Sequence, residues 1–486
     1  MKKGLLICCF FLITIKGFSQ RFSQYNTGTL YDSFENPAQR SFIPDTTRQF
    51  AFNFFLPTIS TQFYVTGNGQ EALKTRAFSN YYNTANLKTG GGAFNRINLS
   101  SNAYTVMFKV FTSEHGDQEI GFSFNTKAEA RIVGTDESIS LFNSFTNFPA
   151  NSYTNIFNDS FFAQAYHEAS FTYREQVTKR LSVGVKLSAL SGLYYRKSDI
   201  TQSGITFDRT ADQATIQLTG TDRQNETKGL SNAQKYLPAF LNPGAAISLG
   251  TAYNDESGYK WQVNVKDLGF IHWRSSSTIS TFGGSALITD FSKSTREKTI
   301  TTTVDSISST GTVRKGFNSP INGTLELSIN RTYWLDDDQK LKFSPTLIGS
   351  KEFFYSGFTA ALVTPIQYNK YSVTLTSTYN DLKLFALGGQ FMVKATNSEF
   401  FIGSDRLYQT GYLIGDALHR KADNSQTQAV VNQGAYSGMD FFIGVSFKFG
   451  YLIERRLNSS SIPMDDERGF FGKAWYNLFH KKDQNY

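Results

Sequence analysis

The chain of 486 residues has few cysteines and prolines, 2 and 10 respectively, and lacks any run of about 20 apolar residues that could form a membrane-spanning helix. The lack of such a run excludes a helical membrane protein, and the scarcity of proline argues against a low-complexity linker protein. Both cysteines, Cys8 and Cys9, lie near the N-terminus. The rest of the chain therefore has no residue for a disulfide, a zinc ribbon or a thiol nucleophile.

Charge and catalytic motifs are also sparse. Only 18% of the residues are charged, and the net charge of +8 is spread along the chain rather than gathered in the basic patch of a nucleic-acid binder. None of the 5 histidines stands in a serine-hydrolase, zinc-protease or phosphate-loop motif. The acidic run of residues 336–338 lacks the spacing of a calcium loop. We therefore expect no enzyme, no metal or cofactor site, and no nucleic-acid partner.

The N-terminus has the pattern of a secretory signal peptide. Lys2 and Lys3 precede the apolar stretch of residues 4–15, and Gly17 and Ser19 supply the small residues that signal peptidase requires. Cleavage before Gln20 would make residues 1–19 the signal peptide.

Aromatic residues are abundant, at 15%, and long segments alternate between apolar and polar residues. Strict alternation is typical of a β-strand with two different faces. Strands of soluble sandwiches usually have about 5 or 6 residues, whereas a tilted transmembrane strand needs about 9 to 11. The alternating segments are long, as in a membrane barrel. The clearest are residues 119–132 and 441–451, followed by 181–193, 259–266, 323–329 and 371–379.

Connection lengths indicate the same architecture, because outer-membrane barrels alternate short turns with long loops. We predict an all-β protein, a transmembrane antiparallel β-barrel of about 14 strands (range about 12 to 16) over residues 47–451. It lies in the cell outer membrane, and the even strand number puts both termini in the periplasm. In this count residues 259–282 form one strand, Pro57 interrupts the first strand, and residues 201–219 are an alternative extra hairpin.

The predicted outer loops are rich in Asn, Thr, Ser and Gly, and we expect them to meet membrane lipid, lipopolysaccharide, solutes or partner proteins. These loops are residues 67–102, 133–160, 197–243, 283–319 and 407–438.

The polar faces of the predicted strands must point into the barrel, and their charges are largely basic. One interpretation is a lumen that favours anionic solutes through its summed field. The alternative is that these residues pair with acids to fill the interior or extend to the rim. The basic residues singled out are Lys127, Arg131, Arg174, Lys186, Lys260 and Lys266.

A change of phase marks the step Asp267-Leu268-Gly269. Trp261, Val263 and Val265 carry the apolar phase before it, and Leu268 carries the phase after it. A β-bulge is the usual cause of such a shift. The bulge could open a lateral gap in the wall, or it could be purely structural.

The last part of the chain, residues 452–486, predicts a periplasmic tail with a short amphipathic helix. Its apolar face consists of Phe471, Trp475, Leu478 and Phe479, which recur at helical spacing. This face could dock a periplasmic or outer-membrane protein, or it could fold back over the barrel mouth.

Three segments, residues 30–38, 181–187 and 267–273, resemble an uncharacterised family of outer-membrane barrels from Bacteroidota. At fold level this family is similar to the fatty-acid-transporter-like barrels. The resemblance implies that an early Asn36-Pro37-Ala38 segment belongs to an N-terminal plug, here residues 20–46. A simple lead-in to the first strand is the alternative.

Two functional hypotheses follow. The first is a transporter or channel for a small hydrophobic or amphipathic solute, gated by the plug. The second is a non-transporting accessory subunit of an outer-membrane secretion or assembly complex.

Overall fold

A computed structural model describes residues 22–41, 48–111, 117–225, 241–354, 357–422, 437–452 and 469–479. The signal-peptide prediction lies outside these residues. Most of the described chain is in strands. The strands are β1 (Arg48–Phe52), β2 (Thr58–Thr66), β3 (Phe94–Phe111), β4 (Gln118–Thr135), β5 (Ser152–Thr154), β6 (Ser160–Gln176), β7 (Leu181–Asp208), β8 (Gln213–Gln224), β9 (Pro243–Asn254), β10 (Tyr259–Trp273), β11 (Thr278–Thr289), β12 (Thr312–Arg314), β13 (Phe317–Pro320), β14 (Thr324–Arg331), β15 (Tyr333–Trp334), β16 (Leu341–Phe343), β17 (Thr346–Glu352), β18 (Phe358–Tyr368), β19 (Tyr371–Asn380), β20 (Phe385–Lys394), β21 (Ser398–Ser404) and β22 (Ser437–Leu452).

Helices are few in the described chain. The α-helices are α1 (Leu30–Glu35), α2 (Gln70–Ser79), α3 (Asp136–Asn143), α4 (Arg296–Ser308), α5 (Leu407–Ala422) and α6 (Phe470–Phe479), and two 3₁₀ turns cover Phe22–Gln24 and Phe145–Asn147. None of the described helices is long and apolar enough to cross a bilayer.

The strands form one closed antiparallel barrel with a wall of 14 strands, as the sequence predicts. In chain order the wall consists of β1 with β2, β3, β4, β6, β7, β9, β10, β13 with β14, β17, β18, β19, β20, β21 and β22. The last strand closes the barrel on the first, where Phe447 pairs with Phe52 and Phe442 pairs with Ser60. Closure pairs the first and last strands of the described wall with each other, so neither is left as a free edge strand in the bilayer.

The two faces of the wall differ as the alternation predicts. Outward side chains such as Phe122, Phe171 and Leu187 are exposed, whereas their neighbours Ser123 and Ser170 are buried inside. The outer face is thus an apolar surface suited to lipid, and the inner face is polar.

The side chain of Asn53 compensates for the break in the first strand between β1 and β2. The amide nitrogen of Asn53 donates to the carbonyl oxygens of Leu56 and Thr105 at 3.0 and 3.1 Å, and its Oδ1 accepts from the Met107 backbone at 3.0 Å. Asn53 therefore satisfies backbone groups that the break around Pro57 removes from the ladder.

We call the end of the barrel at Arg48 and Leu452 the proximal end, and the opposite end the distal end. A folded layer covers part of the distal end. Strand β7 continues past the barrel and pairs with β8, β8 pairs with β11, and β11 pairs with β12. This sheet packs on α3 and α4 over an apolar core. The core contains Leu141, Phe148, Ile156, Phe157, Ile205, Phe207, Ala214, Ile216, Leu218, Phe282, Ile288, Phe291, Ile300 and Ile307.

The distal layer corrects two predictions. Residues 259–282 are not one strand, because β10 ends at Trp273 and a tight turn, in which the Ser277 nitrogen donates to the Arg274 oxygen at 2.9 Å, leads into β11. The regions predicted as polar loops contain ordered strands and helices, and the alternative hairpin at residues 201–219 corresponds to the β7–β8 pairing.

Candidate functional site

The N-terminal part of the described chain, residues 22–41, lies inside the barrel, and we call it the luminal segment. Its helix α1 begins after Thr29, whose hydroxyl accepts from the Asp32 nitrogen at 3.2 Å, and ends where the Asn36 nitrogen donates to the Asp32 oxygen at 2.8 Å. The buried Tyr31 and Phe34 pack against Tyr104 of the wall, with ring centroids 5.6 and 6.2 Å apart.

Asn36, Pro37 and Ala38 are buried or nearly buried against the inner wall. Asn36 donates to Gln262 at 3.3 Å and accepts from the Ala38 nitrogen at 3.1 Å, while Arg174 donates to the Ala38 oxygen at 3.0 Å. A wall glycine makes this approach possible. A Cβ atom at Gly184 would lie only 2.0 Å from the Pro37 oxygen.

The luminal segment is held by side chains from distant parts of the wall. Glu399 accepts from the Leu30 nitrogen at 2.6 Å, and the Tyr25 hydroxyl donates to Glu326 at 2.9 Å. Lys260 donates to Asn26 at 3.0 Å and to Gln39 at 2.7 Å. These contacts fix the segment without making it part of the sheet.

The surroundings of Asp32 and Glu35, two acids of α1, shift their pKa values in opposite directions. Burial raises the pKa of Asp32 to about 6, although a hydrogen bond of 3.0 Å from the Gly28 nitrogen opposes this effect. Burial would also raise the pKa of Glu35, but the nearby Lys266 and other lysines outweigh it and lower that pKa to about 2. Glu35 is therefore the ionised anchor of the segment.

The Glu35 carboxylate is bonded by donors from two wall strands, β3 and β10. It accepts from the Tyr104 hydroxyl at 2.9 Å and from Asn102 at 3.2 Å, and it pairs with Lys266 at 3.2 Å. Lys266 also contacts Glu326 at 2.9 Å. Lys266 thus links Glu35 of the luminal segment to Glu326 of the wall.

Four wall residues form an alternating ring of charges, which we call the ion square: Lys127, Glu168, Lys186 and Asp267. Glu168 lies 2.8 Å from Lys127 and 3.1 Å from Lys186. Asp267 lies 2.6 Å from Lys127 and 3.1 Å from Lys186. Each charge of the square faces two opposite charges, which offsets the cost of removing it from water.

The predicted bulge at Asp267-Leu268-Gly269 brings Asp267 into this square. The pairing of β10 with β9 shifts register between Val265 and Leu268, and Asp267 has a φ of 52°. The Asp267 nitrogen donates to Ser248 at 2.9 Å, and Ile321 donates to the Gly269 oxygen at 3.1 Å. Hydrogen bonds therefore connect the bulge to the neighbouring chain on both sides of β10.

All six basic residues that the sequence singled out have partners inside the barrel. Arg131 pairs with Glu352 at 3.0 Å and with Glu129 at 3.2 Å, and Arg174 lies 3.7 Å from Glu119. Five of the six pair with carboxylates, and Lys260 donates instead to the amide oxygens of Asn26 and Gln39. The sequence interpretation missed three partners: Glu35, Asp267 and Glu352.

A cavity of about 200 Å³ lies between the luminal segment and the wall. The tyrosines Tyr25, Tyr31, Tyr64 and Tyr166 line it together with the charged Arg131 and Glu129. The cavity thus offers aromatic surface and charged groups side by side, which suits a small solute of mixed character.

The C-terminal helix α6 is anchored to the outer side of the wall at the proximal end. Glu175 lies on the outward phase of β6, like Phe171, and its carboxylate accepts from the Phe471 and Gly472 nitrogens at 2.8 Å each. Phe471 also packs on Tyr173, with ring centroids 5.6 Å apart. A carboxylate at a helix N-terminus is favourable. Trp475 is partly exposed, and the Leu478 and Phe479 side chains lie outside the described residues.

A closed antiparallel barrel with an apolar outer face and a polar, occupied lumen defines an outer-membrane β-barrel protein. Residues 42–405 match the family described as "Family of unknown function (DUF5723)", and the chain belongs to this family. The prediction of an uncharacterised barrel family is thereby confirmed.

Comparison with curated proteins gives no match. Among solved structures, the chain is similar to the toluene transporter TodX of P. putida, at 9% identity and a TM-score of 0.41 over 90% of this chain and 100% of that chain. It is also similar to the toluene transporter TbuX of Ralstonia pickettii, at 10% identity and a TM-score of 0.39 over 90% and 99%. A Pseudomonas aeruginosa FadL homologue gives 11% identity and a TM-score of 0.38 over 88% and 95%.

Proposed function

We propose that this protein is an outer-membrane transporter for a small amphipathic solute and that the luminal segment is its plug. The supporting observation is that the segment fills the lumen through side-chain contacts, beside a cavity of about 200 Å³, rather than through strand pairing. Side-chain contacts can be exchanged one by one, so the plug can move without opening the wall.

The residues that line the cavity indicate the class of solute. Tyrosine rings favour an apolar group, while Arg131 and Glu129 can exchange their mutual pairing for contacts with a polar head group. A wholly hydrophobic solute would displace water from these groups and offer them no polar contact in its place, which is costly. We further propose that the proximal end, with both termini, faces the periplasm and that the distal layer faces the outside.

Deletion of residues 22–41 should leave an inserted barrel whose single-channel conductance in planar bilayers is several-fold higher. The reason is that the segment fills lumen volume and contributes no wall strand. A deletion variant that inserts but stays as closed as the intact chain would refute the plug.

A point substitution tests the same idea with the segment present. Gly184→Ala places a Cβ atom 2.0 Å from the Pro37 oxygen and should displace the segment, raising the frequency of open events. Gly349→Ala is the matched control, because its Cβ would meet Phe358 at an ordinary 3.6 Å. Equal opening of the two variants would contradict displacement of a plug.

A second candidate function, an accessory subunit of an outer-membrane assembly, is supported by helix α6. The helix projects from Glu175, and Phe470, Trp475 and Tyr476 are exposed at the proximal end. These aromatic side chains could contact a periplasmic or outer-membrane protein.

Trp475→Ala should then leave barrel insertion and heat-modifiable gel mobility unchanged but reduce the yield of a stoichiometric partner purified with the protein in mild detergent. Lys473→Ala, an exposed change on the same helix, serves as the control. Loss of heat stability instead of partner would assign α6 to the barrel's own fold.

A further inference from the structure

The barrel wall has a notch near its distal end between β20 and β22. Strand β21 ends at Ser404, which pairs with Gly389 of β20, and its pairing with β22 ends where Gly403 meets Phe442. Both neighbouring strands continue further, β20 to Phe385 and β22 to Ser437. Beyond Ser404, toward the distal end, no strand of the described chain therefore lies between β20 and β22.

Helix α5 fills this notch. Gln409 donates to the Phe385 carbonyl oxygen at 3.3 Å, and Thr410 accepts from the Asp440 backbone nitrogen at 3.1 Å. These two polar side chains satisfy backbone groups on the two strand edges that face the notch. In a bilayer an unsatisfied backbone group is costly, so such bonds are needed where a strand is missing.

The polarity of α5 is the reverse of that of a helix on a water-soluble protein. Its polar residues Gln409 and Thr410 face the wall, and Gln409 is buried. A helix in water places its apolar stripe toward the protein and its polar stripe toward the solvent. Among the side chains of α5 that the structure describes, the large exposed ones are Leu407, Tyr408, Tyr412, Ile414 and Leu418.

The exposed face of α5 is continuous with the lipid-facing surface of the wall. Gly389 lies on the outward phase of β20, and a Cβ atom there would lie 2.6 Å from Cδ1 of Leu407, so the helix starts on the outer side. The side chains that flank the notch are also outward, apolar and exposed: Phe385 and Leu387 on β20, and Met439 and Phe441 on β22.

We propose that α5 is a helical part of the membrane wall and that its exposed face binds the acyl chains of the distal leaflet. The leaflet is the outer one if the orientation proposed above holds, and the binding itself does not depend on that orientation. Tyr408 and Tyr412, whose hydroxyl groups lie 3.0 Å apart, provide polar tips for the boundary between acyl chains and head groups.

The test uses single spin labels on residues 20–486, which contain no native cysteine. Ile414→Cys is labelled and reconstituted into phosphatidylcholine vesicles, and collisions with oxygen and with a water-soluble nickel chelate are compared. Leu387→Cys on the wall and Leu287→Cys in the distal layer give the lipid and water references. We expect the ratio of oxygen to nickel collisions at position 414 to lie close to that at position 387.

A ratio close to that of position 287 would overturn the proposal, because the face would then lie in water. Low collision rates with both probes would also overturn it, because the face would then be covered by protein, such as a second copy. Gly411→Cys, also exposed on α5, provides a second labelling site if the Ile414 variant does not fold, and its collision rates are compared with the same two references.

Discussion

A Glu168→Gln variant is expected to lose about 3 to 5 kcal/mol of unfolding free energy, the usual cost of removing one partner from a buried ion pair. Glu168 is buried and contacts Lys127 and Lys186 at 2.8 and 3.1 Å. Without its charge, both lysines must share Asp267. Urea titration of the protein folded in vesicles, followed by tryptophan fluorescence, measures the loss.

Two further variants identify the cause. Glu256→Gln breaks the exposed pair between Arg180 and Glu256, which is also short at 2.7 Å, and should have little measurable effect because both groups are in water. The double variant Lys127→Met with Glu168→Met keeps one lysine opposite one carboxylate. It should therefore be more stable than Glu168→Gln alone, and the reverse order would contradict the ion-square explanation.

Leu187→Arg should destabilise the barrel by about 2 to 4 kcal/mol, because it places a charge on the lipid-facing side of β7. Leu287→Arg in the distal layer is the matched control. The two leucines are 52% and 55% exposed, so the structure alone does not distinguish their surroundings. Only the bilayer makes them different.

We expect the Leu287 variant to unfold at nearly the urea concentration of the unmodified protein. The Leu187 variant should unfold at a clearly lower concentration, and it should lose its heat-modifiable gel mobility at a lower temperature. Equal effects at the two positions would mean that Leu187 of β7 does not face the interior of a bilayer.

Local alternation made the wall predictable, because each buried or exposed phase repeats every two residues. The inward direction of Lys127, Arg131 and Lys186 follows directly from it. The same rule failed for Asp267, since a bulge reverses the phase at that residue. Glu352 was missed because it lies at the end of β17, outside the alternating segments identified in the sequence.

Apart from the alternative hairpin at residues 201–219, the distal layer was missed for a different reason. Strand β8 does alternate, with Ala214, Ile216 and Leu218 on its buried face, but its Thr and Gln residues resemble a polar loop. Helix α5 lies in a region that was predicted as a polar loop, and its reversed polarity is meaningful only once its neighbours β20 and β22 are known.

The position of the luminal segment could not be derived from local pattern, because its contacts join residues far apart in the chain. Leu30 donates to Glu399, and Ser23 contacts Asp405. In the sequence only the resemblance of residues 30–38 pointed to this location. A segment of this kind has no periodicity that distinguishes it from a lead-in to the first strand.

These distant contacts set an order of events during biogenesis. The luminal segment is made first, yet the acids that hold it, Glu399 and Asp405, come from β21 and the residue that follows it, next to the closing strand β22. Contacts between residues so far apart in the chain are slow to form, because a long loop must close first. Docking of the segment therefore completes only when the last strands are in place, so a protease site engineered into residues 22–41 would become protected at the moment of barrel closure.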